Sequence, residues 1–176
     1  MNRIFFTSVI FLSYVLVFTG CGKSPDELYA EAKSLVGSRE TIDDGLKCLV
    51  EFEQKYPDDP RAPEVLLTIA TVHQAKQDFD NAIAAYESLF RGYPGSAEEY
   101  KGRFLLGYLY FDELRDPDRA AAIFRDFIAA YPDSELTVSA QVLLKNIDRP
   151  IEEWPVIKEL DQSLQGEPLQ APSSGD

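Results

Sequence analysis

Residue types able to do chemistry are few in this chain of 176 residues, which carries one histidine, two cysteines and scattered carboxylates. His73 is the only imidazole, and it falls inside an apolar helical stretch at a position expected to face a paired helix, so packing rather than proton transfer is expected of it. Asp78, Asp80 and Asn81 bring oxygen atoms together, but the glycine and distal glutamate of a calcium loop are absent, and an Asp at a helix start serves as N-cap. Gly92-Tyr93-Pro94-Gly95-Ser96 is glycine-bearing without being a phosphate loop, since no strand precedes it and no Lys-Ser/Thr pair follows. Cys48 sits among Leu46, Leu49, Val50 and Phe52 and reads as a small buried hydrophobe. One His and two Cys fall short of a structural zinc site. With no nucleophile beside a base, the chain reads as a non-enzyme needing neither metal nor cofactor. Cys21 and the protein's surfaces remain as carriers of function.

Charge narrows the partners. Lys and Arg total 17 against 30 Asp and Glu, a formal net charge of −13. Neutralising phosphates needs clustered Lys and Arg, which the chain lacks, so nucleic acid is excluded as a partner. Adhesion to an anionic membrane by charge alone is excluded for the same reason. At 45% hydrophobic and 12% aromatic residues, the composition is that of one globular unit and not of an acidic disordered chain.

Residues 1–20 stand apart, with Arg3 as their only charge and an apolar run from Ile4 to Phe18. Fifteen helical residues reach roughly 22 Å, short of the roughly 30 Å hydrocarbon core of a bilayer, so a signal peptide is favoured over a membrane span. The segment ends Phe18-Thr19-Gly20-Cys21, which resembles the lipobox of bacterial lipoproteins, with Phe18 where Leu is usual. The resemblance implies cleavage before Cys21 and acylation of its thiol and new amino group. Ordinary secretory cleavage and an uncleaved anchor are the alternatives. Loss of residues 1–20 would take the formal charge from −13 to −14, so attachment would rest on acyl chains, each buried methylene contributing about 0.8 kcal/mol.

The rest of the chain is periodic. Tyr56-Pro57, Tyr93-Pro94 and Tyr131-Pro132 place prolines 37 and 38 residues apart. Twelve residues before each proline stands a small residue, Gly45, Ala82 or Ala120, and eight before stands a large one, Leu49, Tyr86 or Phe124. Residues four apart share a helix face, so the small one admits a neighbouring helix and the large one fills the space beside it. Ala70 and Gly107 follow Pro57 and Pro94 by 13 residues and are small again. The unit is a pair of helices. In its best copy, Leu106-Gly107, Tyr110, Ala120, Phe124 and Pro132, it resembles the tetratricopeptide repeat, with a connection near Asp116-Pro117 one residue longer than standard. The resemblance implies an all-α fold, a right-handed superhelix (α-solenoid) of about three helix pairs plus a capping helix.

Caps support this reading. Ser24-Pro25-Asp26-Glu27 and Ser96 with Glu99 predict capping boxes, and Asp116-Pro117 predicts a helix start. Helices are expected near 25–36, 41–55, 61–76, 79–91, 97–114, 117–130 and 134–147. The chain divides into a signal segment (1–20), a lipidated tether (21–23), a repeat domain (24–148) and a tail (149–176). In the tail, Trp154, Ile157 and Leu160 are expected to pack on the last repeat or in a groove, and residues 166–176 to be disordered.

In stacked pairs of this repeat family the first helices line a concave face. The resemblance maps that face onto Glu64, Leu67, Thr71 and Gln74, then Lys101, Phe104, Tyr108, Phe111 and Asp112, then Ser139, Val142 and Asn146. Phe104, Tyr108 and Phe111 form one stripe at helical spacing, either packed on neighbouring helices or open to an extended peptide or helix. Repeats behind a lipobox are similar to the bacterial envelope scaffolds of the outer-membrane assembly lipoprotein BamD family, which usually have about five repeats. That likeness implies a protein-binding scaffold held to the membrane by lipid, in outer-membrane protein or complex assembly. The alternative is an accessory lipoprotein of secretion, pilus or cell-wall machinery. In the family's sorting logic Asp after the cysteine retains a lipoprotein at the inner membrane; Gly22 here implies the outer membrane. Replacing Cys21 by Ala is expected to abolish incorporation of radioactive palmitate, and unchanged labelling would remove the lipid anchor from the account.

Overall fold

The computed structural model describes residues 22–155, 157 and 158. The expected signal segment, Cys21, Leu160 and residues 166–176 lie outside the described residues. Seven α-helices are described: α1 (Pro25–Leu35), α2 (Ile42–Lys55), α3 (Ala62–Ala75), α4 (Phe79–Gly92), α5 (Ala97–Tyr108), α6 (Pro117–Ala130) and α7 (Glu135–Lys145). A π-helical turn, Leu109–Glu113, continues α5, and a 3-10 turn spans Ile151–Glu153. Among the described residues there is no strand. Packing is mainly between chain neighbours, α1 on α2, α3 on α4, α5 on α6 and α7 on α6, with α3 also touching α5.

Proline ends the second helix of each pair. A residue before proline is pushed out of the α region by the ring's Cδ. Tyr56, Tyr93 and Tyr131 accordingly share one conformation, φ −131, −134 and −130° with ψ 50, 56 and 58°. The first two of these turns are tied back. The Tyr93 hydroxyl donates to the Pro57 carbonyl at 2.6 Å, and the Tyr56 hydroxyl to the Lys23 carbonyl at 2.9 Å. Arg61 adds a charged tie, pairing with Asp26 at 2.9 Å and Asp59 at 2.8 Å while its guanidinium lies over the Tyr29 ring. The hydrogen bonds from Arg61 hold the Asp59 carboxyl down to about 2.

Side chains cap the starts of α1, α5, α6 and α7, whereas Thr41, Arg61 and Asp78 at the starts of α2, α3 and α4 make no side-chain capping bond. Ser24 and Glu27 form a reciprocal capping box, and Asp116 accepts from the Arg119 amide at 3.0 Å. The second expected box differs, because Ser96 accepts from the Glu99 amide at 3.1 Å but the Glu99 carboxylate reaches the amide of Gly95 instead of that of Ser96. Burial by itself pushes Glu99 up; the Gly95 amide and Arg103 outweigh it and leave the carboxyl below its usual range.

The small and large positions meet in the core. Ala82, Ala120, Tyr86 and Phe124 are fully buried and Leu49 nearly so. Three residues after each large position, Phe52, Leu89 and Phe127 are buried as well, a second row that the Tyr-Pro spacing also marks. Close approach is what the small residues provide. A Cβ on Gly45 would stand 2.9 Å from the Val36 amide nitrogen, and one on Gly107 would stand 2.7 Å from Phe124 Cε1.

One sequence expectation changes form. The spacing predicts a single α-helix over 97–114 and then a connection one residue longer than standard. Instead, Lys76-Gln77-Asp78 and Leu114-Arg115-Asp116 are connections of equal length with Gln77 and Arg115 both left-handed, φ 59 and 52°. The additional residue between Gly107 and Ala120 is absorbed inside the helix as the π turn, where the Leu114 amide bonds the Leu109 carbonyl at 3.1 Å. The connection geometry is kept and the helix phase is shifted.

Gly107→Ala is expected to destabilise the fold by about 1–3 kcal/mol, because the buried Phe124 ring has to yield. An unchanged denaturant midpoint would refute the pairing of α5 with α6.

Candidate functional site

His73 and its acidic neighbours form a local link. His73 Nδ1 lies 3.0 Å from Asp78 Oδ2, and Asp78 also accepts from Asn81 Nδ2 at 2.8 Å. The hydrogen bond from Asn81, then that from His73, lowers the Asp78 carboxyl. The cluster closes the α3–α4 connection, with Asp78 as the N-cap residue of α4. Among the described residues, no group of three or more His, Cys, Asp or Glu is placed to hold a metal ion.

The expected concave face is not uniform along the chain. Between α1 and α3, Tyr29 Oη donates to Glu64 at 2.7 Å and Lys33 Nζ to the same carboxylate at 3.0 Å, bridging the two first helices. The bond from Tyr29 is the main cause of the lowered Glu64 carboxyl. Leu67 and Thr71 on α3 are half-buried. Gln74 is occupied internally, its Oε1 accepting from the hydroxyl of the fully buried Tyr86 at 3.2 Å.

In repeat three the aromatic stripe divides. Phe104 turns inward, its ring centroid 5.8 Å from that of Phe124 and 5.9 Å from that of Phe127. Tyr108 is 38% exposed. Phe111, within the π turn, lies between Tyr108 at 6.2 Å and Trp154 at 6.1 Å. Lys101 is exposed and Asp112 half-buried. On α7, Val142 is 41% exposed, whereas Asn146 is buried and donates from Nδ2 to the Val142 carbonyl at 2.9 Å. Ser139 is exposed.

Tyr108, Phe111 and Asp112 open onto a cleft at the C-terminal end of the stack. Its volume is about 690 Å³, and Tyr108, Phe111, Asp112, Leu143, Ile147 and Trp154 are among its walls, with Arg115 and Glu152 at the charged margin. Trp154 is held by burial and by its indole N–H, which donates to the Arg149 carbonyl at 3.1 Å. Burial raises the Tyr108 phenol, and the charge of Asp112 beside it adds to the effect. Of the expected groove, the cleft gathers Tyr108, Phe111 and Asp112; Leu67, Thr71, Gln74, Lys101, Phe104, Val142 and Asn146 do not line it. Arg115, Leu143, Ile147 and Glu152 escape a reading of the sequence, where only the tail tryptophan signals that something packs back on repeat three.

A family model for YfiO, described as outer membrane lipoprotein, matches residues 22–151. The chain belongs to this family. The match covers α1 to α7 and makes the protein a lipid-anchored component of the cell envelope at the outer membrane. No curated protein matches the chain. No described helix of the lipoprotein is long and apolar enough to cross a membrane.

Trp154 is the single tryptophan of the lipoprotein, so its emission reports on the cleft alone. Phe111→Ala should shift that emission to the red by admitting water to the indole, and an unshifted spectrum would mean that Phe111 does not cover Trp154.

Proposed function

We propose that this lipoprotein is a protein-binding scaffold in the assembly of outer-membrane proteins or complexes, anchored through acylated Cys21 and facing the periplasm. Residues 1–20 act as the cleaved signal, 21–23 as tether, 24–148 as a right-handed tetratricopeptide-like solenoid, and 149–176 as a tail whose tryptophan completes the binding cleft. No catalysis, metal or cofactor enters this reading. The family match supports the envelope role, and the cleft of Tyr108, Phe111 and Trp154 supports the mode of binding.

Aromatic walls with one polar margin suit an amphipathic segment, because large rigid rings contribute contact area at low entropic cost and desolvated aromatic anchors dominate interface energetics. The margin carries Asp112, Glu152 and Arg115, and the chain as a whole is strongly acidic, which favours a partner with apolar and basic residues and disfavours an acidic one. The more distal expected positions, Leu67, Thr71, Gln74, Lys101, Phe104, Val142 and Asn146, would extend the contact along the concave face or position its aromatic rings.

The reading is tested by photocross-linking in intact cells from position 108 of the full-length lipoprotein. Capture of barrel-assembly components is expected, and Phe111→Ala should reduce it severalfold while palmitate labelling stays unchanged. Capture of secretion, pilus or cell-wall components instead would replace the assembly role with an accessory one.

A further inference from the structure

We propose that the N-terminal tether is a docked part of the repeat body, so that the lipoprotein stands on the bilayer in one posture, with the edge formed by the first turn of α1 and the α2–α3 connection turned toward the lipid surface. The inference rests on the acylation of Cys21 proposed above and adds to it a defined membrane-facing surface. Its basis is a bond that occurs twice. Tyr93, at the end of α4, donates its hydroxyl to the Pro57 carbonyl in the turn of the preceding repeat. Tyr56, at the end of α2, has no preceding repeat, and its hydroxyl donates instead to the carbonyl of Lys23 in the tether. The tether thus takes the place that a repeat turn takes elsewhere.

Other contacts hold the same segment. The Ser24 amide donates to the Glu27 carboxylate at 2.8 Å, and Lys23 pairs with Glu31 on α1. Lys55 Nζ comes within 3.3 Å of where a Cβ on Gly22 would stand. The backbone is therefore held as far as Lys23, two links from Cys21. Consecutive Cα atoms are 3.8 Å apart, so the acylated residue lies within about 7.6 Å of a fixed point on the body. A lipid attached so close to a docked segment keeps the surface beside the attachment point near the headgroups and restricts how far the body can tilt. The opposite end of α2 then lies farther from the bilayer.

Energy transfer from the body to the bilayer tests this. The full-length lipoprotein, carrying Cys48→Ala and a thiol dye at either Asp58→Cys or Arg39→Cys, is reconstituted in phosphatidylethanolamine vesicles bearing a headgroup acceptor. Both native residues are exposed and lie beyond opposite ends of α2, about 20 Å apart by helix length. Transfer is expected to be greater from position 58 than from position 39. Tyr56→Phe keeps the ring that packs on Phe52 and removes only the hydroxyl; it should shrink that difference and speed amide exchange at Lys23 and Ser24. Equal transfer from both positions with palmitate retained would overturn the posture alone. Unchanged transfer and exchange in Tyr56→Phe would overturn the role of the latch. Loss of palmitate from the unsubstituted Cys21 protein would overturn the anchoring itself, and the posture with it.

Discussion

The rest of the structure depends on a steric restriction, the exclusion of the residue before proline from the α region. Three tyrosines obey it with nearly the same backbone angles, so the chain leaves α2, α4 and α6 in the same way each time. Because the exits are alike, the next helix is delivered to an equivalent place, and the buried row of small and large residues can repeat from pair to pair. Proline alone would only stop the helices. The tyrosine beside it supplies the link, since the hydroxyls of Tyr56 and Tyr93 each bond a carbonyl of the segment before.

Within that frame the core is built by complementarity of size. Gly45, Ala82, Gly107 and Ala120 let backbones approach, and Leu49, Tyr86 and Phe124 take the volume beside them. Fully burying one large apolar side chain contributes about 1.5–3 kcal/mol. Most ion pairs are exposed and contribute little on the usual scale of about 0–1 kcal/mol. Arg61 is better placed, with two carboxylates and the faces of Tyr29 and Phe52 around it at the junction of the first three helices.

Repeat three departs from the pattern in a way that matters for binding. The connection between its helices keeps the length and the left-handed residue seen in repeat two, so the additional residue has to enter the helix. The π turn that accommodates it begins after Tyr108, so Phe104 and Tyr108 keep regular helical spacing within α5 and the phase shift falls on Phe111. Phe104 joins the core, Tyr108 stays at the surface, and Phe111 meets the tail at Trp154. The cleft is a consequence of that phase shift together with the return of the chain after Pro150.

The sequence by itself determined what is local. Helix number, most helix ends within a residue or two and the recurring small and large positions were all legible, because proline, capping side chains and four-residue spacing act within one or two turns of backbone. The polar role of Gln74 and the inward turn of Phe104 were not legible, nor was the meeting of Trp154 with Phe111. Those depend on helix phase and on which segment arrives from elsewhere in the chain. An inserted residue reads the same in sequence whether it lengthens a loop or winds into a π turn. Only the packing of α5 on α6, which holds the connection to three residues, decided between them and so decided where the aromatic surface lies.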